Sequence, residues 1–283
     1  MPDNLESLRE ASEAKLARLR AILKDLGSCL IAYSGGVDST FLLKVGTEVL
    51  GERCVGLVAH SASMPEAEQR EARDLAEHMG ARLVVAQSNE LDDPRYAANP
   101  VDRCYYCKLE LFSICERKRV ELGLAAILDG FNADDRADWR PGHRAGAEKS
   151  VRSVLAEAGL TKNEIRAWSQ KLGLPTWDKP QMACLSSRLP YGTPVTAQRL
   201  GQIGGAEADL RGLGLRQLRV RWHGDVARIE VAAEEYERLL DPELRHKAVA
   251  ALKRRGFHFV SLDLEPFRSG RMNEAAGITA RST

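Results

Sequence analysis

The sequence has no run of about 18 to 20 apolar residues, so nothing in it reads as a bilayer-spanning helix. It also lacks an excess of charge: 41 basic residues face 40 acidic ones, a formal net charge of +1. Proteins that hold long nucleic acids take most of their affinity from phosphate contacts, and such a balance argues against that class of partner. The first 20 residues are interspersed with Glu and Arg and contain no apolar stretch before a cleavage site, so they are not expected to act as a secretory signal. The expected location is the cytoplasm. There a count of six cysteines (Cys29, Cys54, Cys104, Cys107, Cys115 and Cys184) points to metal binding or catalysis sooner than to disulfides. A second C-x-x-C and a paired His motif are both missing, so a four-ligand zinc site is not indicated.

What is present is an alternation of helical and strand patterns. Leu5, Leu8, Ser12, Leu16, Leu19, Leu23 and Leu26 trace a helical stripe ending at Gly27. The continuous apolar run 29–33 suits a strand buried on both faces. Helices are predicted over 40–50, 66–79 and 108–122, and strands over 53–60, 82–86 and 125–129. Such alternation implies a doubly wound α/β domain with a parallel sheet. Residues 132–147 are polar and suggest a mobile loop. Thr161-Lys-Asn-Glu164 is a capping-box pattern opening a helix, and 175–194 is irregular. The pattern then changes to a helix at 197–210, a hairpin over 217–231, two helices and a strand at 257–262. We therefore expect a first domain over 1–192, a smaller C-terminal α+β domain over 193–265 and a disordered tail over 266–283.

Ser34-Gly-Gly-Val-Asp-Ser-Thr40 lies between a predicted strand and a predicted helix. Glycines turn backbone N–H groups toward phosphate oxygens, and the helix N-terminus adds donors and a favourable dipole. Ser34, Ser39 and Thr40 can add hydroxyls. Asp38 opposes a phosphate unless Mg2+ bridges the two or the carboxylate caps the helix. The Gly-Lys-Ser/Thr ending of a Walker A loop is absent.

This loop resembles the pyrophosphate loop of the ATP-pyrophosphatase superfamily, over roughly residues 25–190. The resemblance implies cleavage of ATP between its α and β phosphates and activation of an oxygen as an adenylate. It further implies nucleotide contacts from Ala32, Ser34, Gly35, Gly36, Asp38, Ser39 and Thr40. His60, at the end of the second strand, would face the adenosine. Gly130, Asn132 and Asp134, after a later strand, would face nucleotide and metal.

Cys104-Tyr-Tyr-Cys107 taken alone fits a redox dithiol, half a zinc site or two buried thiols. Together with Cys184, in Ala183-Cys-Leu-Ser-Ser-Arg188, it matches three-thiolate ligation of an iron–sulfur cluster with one iron open. Arg188 is expected to favour ionisation of the Cys184 thiol. Arg219 and Arg221 stand two apart on a strand and so share a face suited to a phosphate.

With Arg219-Val-Arg-Trp-His-Gly-Asp-Val-Ala-Arg-Ile-Glu230, these motifs follow one another in an order similar to that of the LarE family. These are the ATP-dependent sulfur transferases of nickel-pincer cofactor synthesis, and the match covers about residues 10–265. The resemblance implies adenylation of pyridinium-3,5-biscarboxylic acid mononucleotide, a cysteine thioester and release of a thiocarboxylate. Cys184 matches the cysteine that donates its sulfur and is left as dehydroalanine. Members with the additional C-x-x-C use a [4Fe-4S] cluster, the reading favoured here for Cys104, Cys107 and Cys184. The resemblance also implies substrate phosphate on Arg219 and Arg221, nearby carboxylates Glu207 and Glu230 as metal candidates, and a homo-oligomer, a hexamer in the family.

A tRNA thiolase would share the loop but should carry a basic surface or RNA module. An ammonia-using synthetase would not need Cys184, and a non-catalytic nucleotide-binding module would release no pyrophosphate.

Overall fold

In this computed structural model the chain is described at residues 2–137, 141–180, 183–268, 271 and 277. Its elements run α1 (Pro2–Leu26), β1 (Cys29–Ala32), α2 (Val37–Leu50), β2 (Cys54–His60), α3 (Glu66–His78), β3 (Arg82–Gln87), α4 (Pro94–Ala97), α5 (Arg103–Glu121) and β4 (Ala126–Leu128). There follow α6 (Pro141–Glu148), α7 (Val154–Ala158), α8 (Lys162–Lys171), α9 (Ala197–Gly212), β5 (Leu218–His223), β6 (Val226–Val231), α10 (Tyr236–Leu240), α11 (Pro242–Arg254) and β7 (Phe259–Leu262).

The described residues form two units. One comprises the described residues of 2–90 and 102–180, the other those of 91–101 and 183–277. The segment 91–101 joins the second unit through specific bonds. Val195 N donates to Ala97 O at 2.8 Å, Asn99 Nδ2 to Pro190 O at 2.8 Å, and the Tyr96 and Ser186 hydroxyls meet at 2.6 Å.

In the first unit four parallel strands lie in the order β3-β2-β1-β4. The apolar run of β1 is split between two cores, as a doubly wound sheet requires. Cys29 and Ile31 pack with Leu19 and Leu23 of α1, Phe41 of α2 and Ile165 of α8. Leu30 and Ala32 pack with Phe112 and Cys115 of α5 and Ala145 of α6. The direction of winding reverses between β1 and β4, and ligands of such sheets bind at the carboxyl ends of the strands at that point. Among the described residues no helix is long and apolar enough to cross a membrane.

Two local expectations change. Residues 141–148, expected as part of a loop, form α6, packed on α5; 138–140 of that loop lie outside the described residues. The C-x-x-C, expected ahead of a helix, lies inside the first turns of α5.

The second unit carries a mixed sheet in the order β5-β6-β7, antiparallel then parallel. Leu218, Val220, Ile229 and Val231 turn one face toward Leu210 of α9 and Leu252 of α11. The alternate positions make a polar face, with Arg219 opposite Glu230 and Arg221 opposite Arg228.

The capping box at α8 forms as its pattern predicts. Thr161 Oγ1 accepts from Glu164 N, and Thr161 N donates to Glu164 Oε2 at 2.8 Å. Lys15 on α1 adds an ion pair to the same carboxylate at 2.7 Å. Thr161→Ala should lower the unfolding free energy by about 1 kcal/mol in a denaturant titration. An unchanged midpoint would mean that this cap does not hold in solution.

Candidate functional site

The nucleotide loop starts where β1 ends. Ala32 is buried, and Tyr33 N still bonds in sheet fashion to Leu57 O at 2.9 Å. Gly35 follows with φ +70°, and a Cβ there would sit 2.7 Å from Ala72 Cβ on α3. Only glycine permits both the turn and that approach. Gly36 precedes α2 in an extended conformation with no side-chain cap, which leaves the first-turn N–H groups of α2 available to an anion. The Ser39 hydroxyl braces the turn, accepting from Ser34 N at 3.3 Å and donating to Gly36 O at 3.3 Å. Ser34 Oγ lies 3.2 Å away. Thr40, expected to offer a hydroxyl, is fully buried, and its Oγ1 meets no hydrogen-bond partner among the described residues.

The segment after β4 is pressed against this loop. A Cβ on Gly130 would come within 3.1 Å of Ser39 N. Asn132 Nδ2 donates to Asp38 Oδ1 at 3.4 Å, and Asp134 accepts from Lys162 N at 2.8 Å. Asp38, the carboxylate that sits oddly in a phosphate loop, is paired at 2.5 Å with Lys162 Nζ on α8. Lys179 approaches the loop too, with Nζ 3.5 Å from Gly35 O and 3.1 Å from Glu71. His60 closes β2 with a buried Nε2 that meets no hydrogen-bond partner among the described residues. Just beyond it, Ser61 and Ser63 both donate to Glu90, whose carboxylate is 2% exposed. Lys162, Lys179 and Glu90 were not singled out from sequence. Lys162 and Lys179 meet the loop, and Glu90 meets Ser61 and Ser63, only through the fold; Lys162 shows in sequence merely as part of a capping pattern.

The second unit gathers Cys184 and the arginines. Cys184 is half-buried at the start of a short 3-10 turn, Leu185–Arg188. The Arg188 side chain is fully buried and clasps the Glu207 carboxylate, Nε to Oε1 at 2.8 Å and Nη2 to Oε2 at 3.0 Å. Its Nη1 donates to the carbonyls of Ala183 at 2.6 Å and Cys184 at 3.0 Å, and to Ser187 Oγ at 3.0 Å. Arg188, expected to assist the thiol, thus spends its donors on the carboxylate and on the loop's own oxygens, and so shapes the turn that presents Cys184. Glu207 also accepts from Arg211 at 3.0 Å and Val220 N at 3.1 Å. Burial alone would raise its carboxyl, but the Arg188 and Arg211 guanidiniums hold it below the usual carboxylate range.

Arg221 ties the same turn to the sheet, with Nη1 to Ser187 O at 2.7 Å and Nη2 to Glu230 Oε2 at 2.8 Å. Glu230 lies between Arg221, Arg228 at 3.4 Å and Arg271 at 3.7 Å. Both carboxylates, named from sequence as metal candidates, are thus enclosed by guanidiniums. Among the described residues no carboxylate lies within ion-pair distance of Arg219. It is 7% exposed, its hydrogen bond to Leu218 O is long at 3.4 Å, and burial together with Arg188, Arg221 and Arg211 lowers it to about 10 against the opposing pull of the more distant Glu207.

Cys104 and Cys107 stand on one face of α5 in the first unit, the former exposed and the latter partly so. Cys29 and Cys54 are buried neighbours across β1 and β2, with sulfurs 3.8 Å apart. Burial pushes the Cys115 thiol up to about 12. All three read as core residues, as their apolar surroundings in sequence suggest. Among the described residues no group of three or more His, Cys, Asp or Glu is arranged as metal ligands.

No family model matches the chain. It is 40% identical over 261 residues to the pyridinium-3,5-bisthiocarboxylic acid mononucleotide synthase of Lactiplantibacillus plantarum, an alignment spanning 92% of this chain and 94% of that protein. An uncharacterised protein of Synechocystis is 43% identical across 92% of this chain and 97% of its own length. One subunit of the glutamine-hydrolysing GMP synthase of Methanosphaerula palustris is 26% identical over 181 residues, covering 60% of this chain and 56% of that protein.

Two substitutions in this cluster should act with opposite signs. Glu207→Ala strands the buried Arg188 and should lower stability by about 3 to 5 kcal/mol. Arg219→Met removes a buried cation without a counter-ion and should raise the stability of the ligand-free protein by about 1 to 3 kcal/mol. The sign follows from its lowered value: the folded state holds at neutral pH a proton that it binds less tightly than the unfolded chain does. Thermal or denaturant unfolding of both variants at pH 7 reads the difference. Destabilisation by Arg219→Met would mean that another anion already answers this charge.

Proposed function

The chain belongs to the LarE family within the ATP-pyrophosphatase superfamily, and from that premise we propose that it activates a carboxylate of pyridinium-3,5-biscarboxylic acid mononucleotide with ATP and replaces an oxygen with sulfur delivered through Cys184. The observation that carries this reading is the link within the second unit between thiol and arginines. Arg221 donates to Ser187 O at 2.7 Å and Arg188 to Cys184 O at 3.0 Å, so one hydrogen-bonded frame ties the turn that carries Cys184 to Arg221, two residues from Arg219 on the same strand face. A substrate that carries both a phosphate and an activated carboxylate suits that frame.

In the first step a carboxylate oxygen attacks the α-phosphorus of ATP and pyrophosphate leaves, giving an acyl-adenylate. Ser34 to Ser39 and the start of α2 bind the departing pyrophosphate through N–H groups, and Lys162 and Lys179 add positive charge near it. Asp38, paired here with Lys162, would be the loop's carboxylate for Mg2+, which would supply charge neutralisation at the phosphates. In the second step the Cys184 thiolate attacks the acyl carbon and AMP leaves with the electron pair of the broken C–O bond. In the third, loss of the Cys184 α-proton to a base breaks its Cβ–S bond, which releases the thiocarboxylate and leaves dehydroalanine.

A second reading draws the sulfur from a [4Fe-4S] cluster. The soft thiols of Cys104 and Cys107, the first exposed and the second partly so, stand three apart on α5 and would suit two of its thiolate ligands. The same frame could serve a tRNA thiolase, but the even charge of the chain disfavours that substrate.

Cys184→Ala should keep substrate-dependent pyrophosphate release within about threefold of the parent and lose thiolated product altogether. Product formation by that variant would remove Cys184 from the reaction. The mass of the Cys184 peptide after anaerobic turnover separates the two sulfur sources. A loss of hydrogen sulfide matching product one to one supports the sacrificial cysteine, and an intact cysteine beside accumulating product supports the cluster. In the second case Cys104→Ser and Cys107→Ser should each abolish repeated turnover.

A further inference from the structure

The polar face of the second unit's sheet holds more guanidinium than carboxylate. Arg221, Arg228 and Arg271 each pair with Glu230, and Arg228 and Arg271 also with Asp263; Glu265 completes the acidic set against Arg271. Among the described residues three carboxylates thus answer four guanidiniums, and the cation left over is Arg219.

Its neighbour is an aromatic ring. The Phe267 ring centroid lies 4.8 Å from the Arg219 guanidinium carbon. Phe267 belongs to the stretch 266–283, expected from sequence as a tail, of which 266–268, 271 and 277 are among the described residues. That stretch is fastened where it leaves β7. Asp263 N donates to Ile229 O at 2.8 Å, and Phe267 N to Val231 O at 2.8 Å. The Tyr236 hydroxyl donates to Asp263 O, and Arg228 and Arg271 both hold the Asp263 carboxylate. The backbone therefore runs on past β7 alongside β6 and brings Phe267 over β5.

A guanidinium stacked on a ring keeps all its N–H groups in one plane, so its donors radiate from the edge and remain available to a third party. Arg221, two residues along the same face, has a buried Nε with no hydrogen-bond partner among the described residues. Two sets of unused donors on one face match the several acceptor oxygens of a phosphate monoester. Burial without a carboxylate partner supports the same conclusion: this cation is paired only when an anion arrives.

We propose that Phe267 is a positioning residue for phosphate recognition, its ring fixing the Arg219 guanidinium so that the free edge, together with Arg221, grips the phosphate of a mononucleotide substrate. The proposal rests on the reading of Arg219 and Arg221 as the phosphate-binding pair. It assigns a residue beyond β7 to substrate selection, and it separates the mononucleotide from the corresponding nucleoside.

The test compares KM for the pyridinium mononucleotide with KM for its dephosphorylated nucleoside, by substrate-dependent pyrophosphate release from the full chain. Phe267→Leu keeps apolar bulk but removes the ring. It should raise KM for the mononucleotide roughly 3- to 30-fold, leave KM for the nucleoside and for ATP within about twofold, and leave kcat unchanged. Phe267→Tyr should restore the parent values, and Phe267→Met replaces the leucine variant should that one lose its thermal transition. Arg219→Met, measured beside them, should erase the distinction between the two substrates. If Arg219→Met does so and Phe267→Leu shifts both substrates equally or neither, the role of Phe267 is overturned while the phosphate pair stands. If Arg219→Met leaves the distinction intact, the phosphate pair itself falls and the proposal falls with it.

Discussion

The second unit depends on one ion pair, Arg188 with Glu207, in which both side chains are fully buried. A buried pair is weak evidence of net stability, because the desolvation of two charges offsets most of their attraction. Its value here lies in what else the two groups hold. The guanidinium gathers the carbonyls of Ala183 and Cys184 around a single centre, and the carboxylate reaches Val220 N in the middle of β5. A single 3-10 turn is thereby referenced to a helix and a strand at once. An apolar pair of equal volume could fill the space but could not satisfy those carbonyls, and an unsatisfied buried carbonyl costs about 1 to 3 kcal/mol. The thiol's position is a by-product of that accounting.

The nucleotide loop is set by a different constraint, the distance of closest approach. Gly35 lies against Ala72 and Gly130 against Ser39 N, so α3 comes closer to the loop than a side chain at 35 would allow, and the segment after β4 leaves only tight room for one at 130. Close approach brings Asp38 within reach of Lys162 and Asn132, and it holds the uncapped start of α2 open. An anionic ligand then meets N–H groups and ammonium groups whose positions were fixed during folding, so little reorganisation accompanies binding.

These two constraints were unequally legible. The loop could be read because its requirements are local: glycines, hydroxyls and a helix start within seven residues, after an apolar run that alternates between two cores. The capping box at Thr161 was legible for the same reason, and so were the C-x-x-C and the face shared by Arg219 and Arg221. The role of Arg188 was not, because a basic residue four positions from a cysteine suggests an effect on the thiol, whereas its partner Glu207 lies 19 positions along the chain, on α9. Lys162 on Asp38 and Glu90 on Ser61 and Ser63 share that opacity, each being a pairing between residues 27 or more positions apart that only the folded chain brings together. Helix α6 was hidden by its composition, since Pro141, Gly142 and Gly146 read as a loop while Ala145 supplies a buried contact in the cluster around Phe112.

The charge pattern of the second unit separates groups that serve the fold from groups that await a ligand. Arg188, Arg211, Arg221, Arg228 and Arg271 all have carboxylates within 4 Å, although Arg221 keeps its buried Nε without a hydrogen-bond partner among the described residues. Arg219 has none among the described residues, and folding places it on the strand position opposite Glu230 while Glu230 itself turns to Arg221. An aromatic ring is a partner that holds a guanidinium without neutralising it, whereas a carboxylate would have held it more tightly and cancelled its charge. Selection for stability alone favours the carboxylate or an apolar replacement at this position. The ring is the choice that keeps a full positive charge in a low-dielectric place, and the interaction energy stored there is released only to an anion that can reach the edge of the plane.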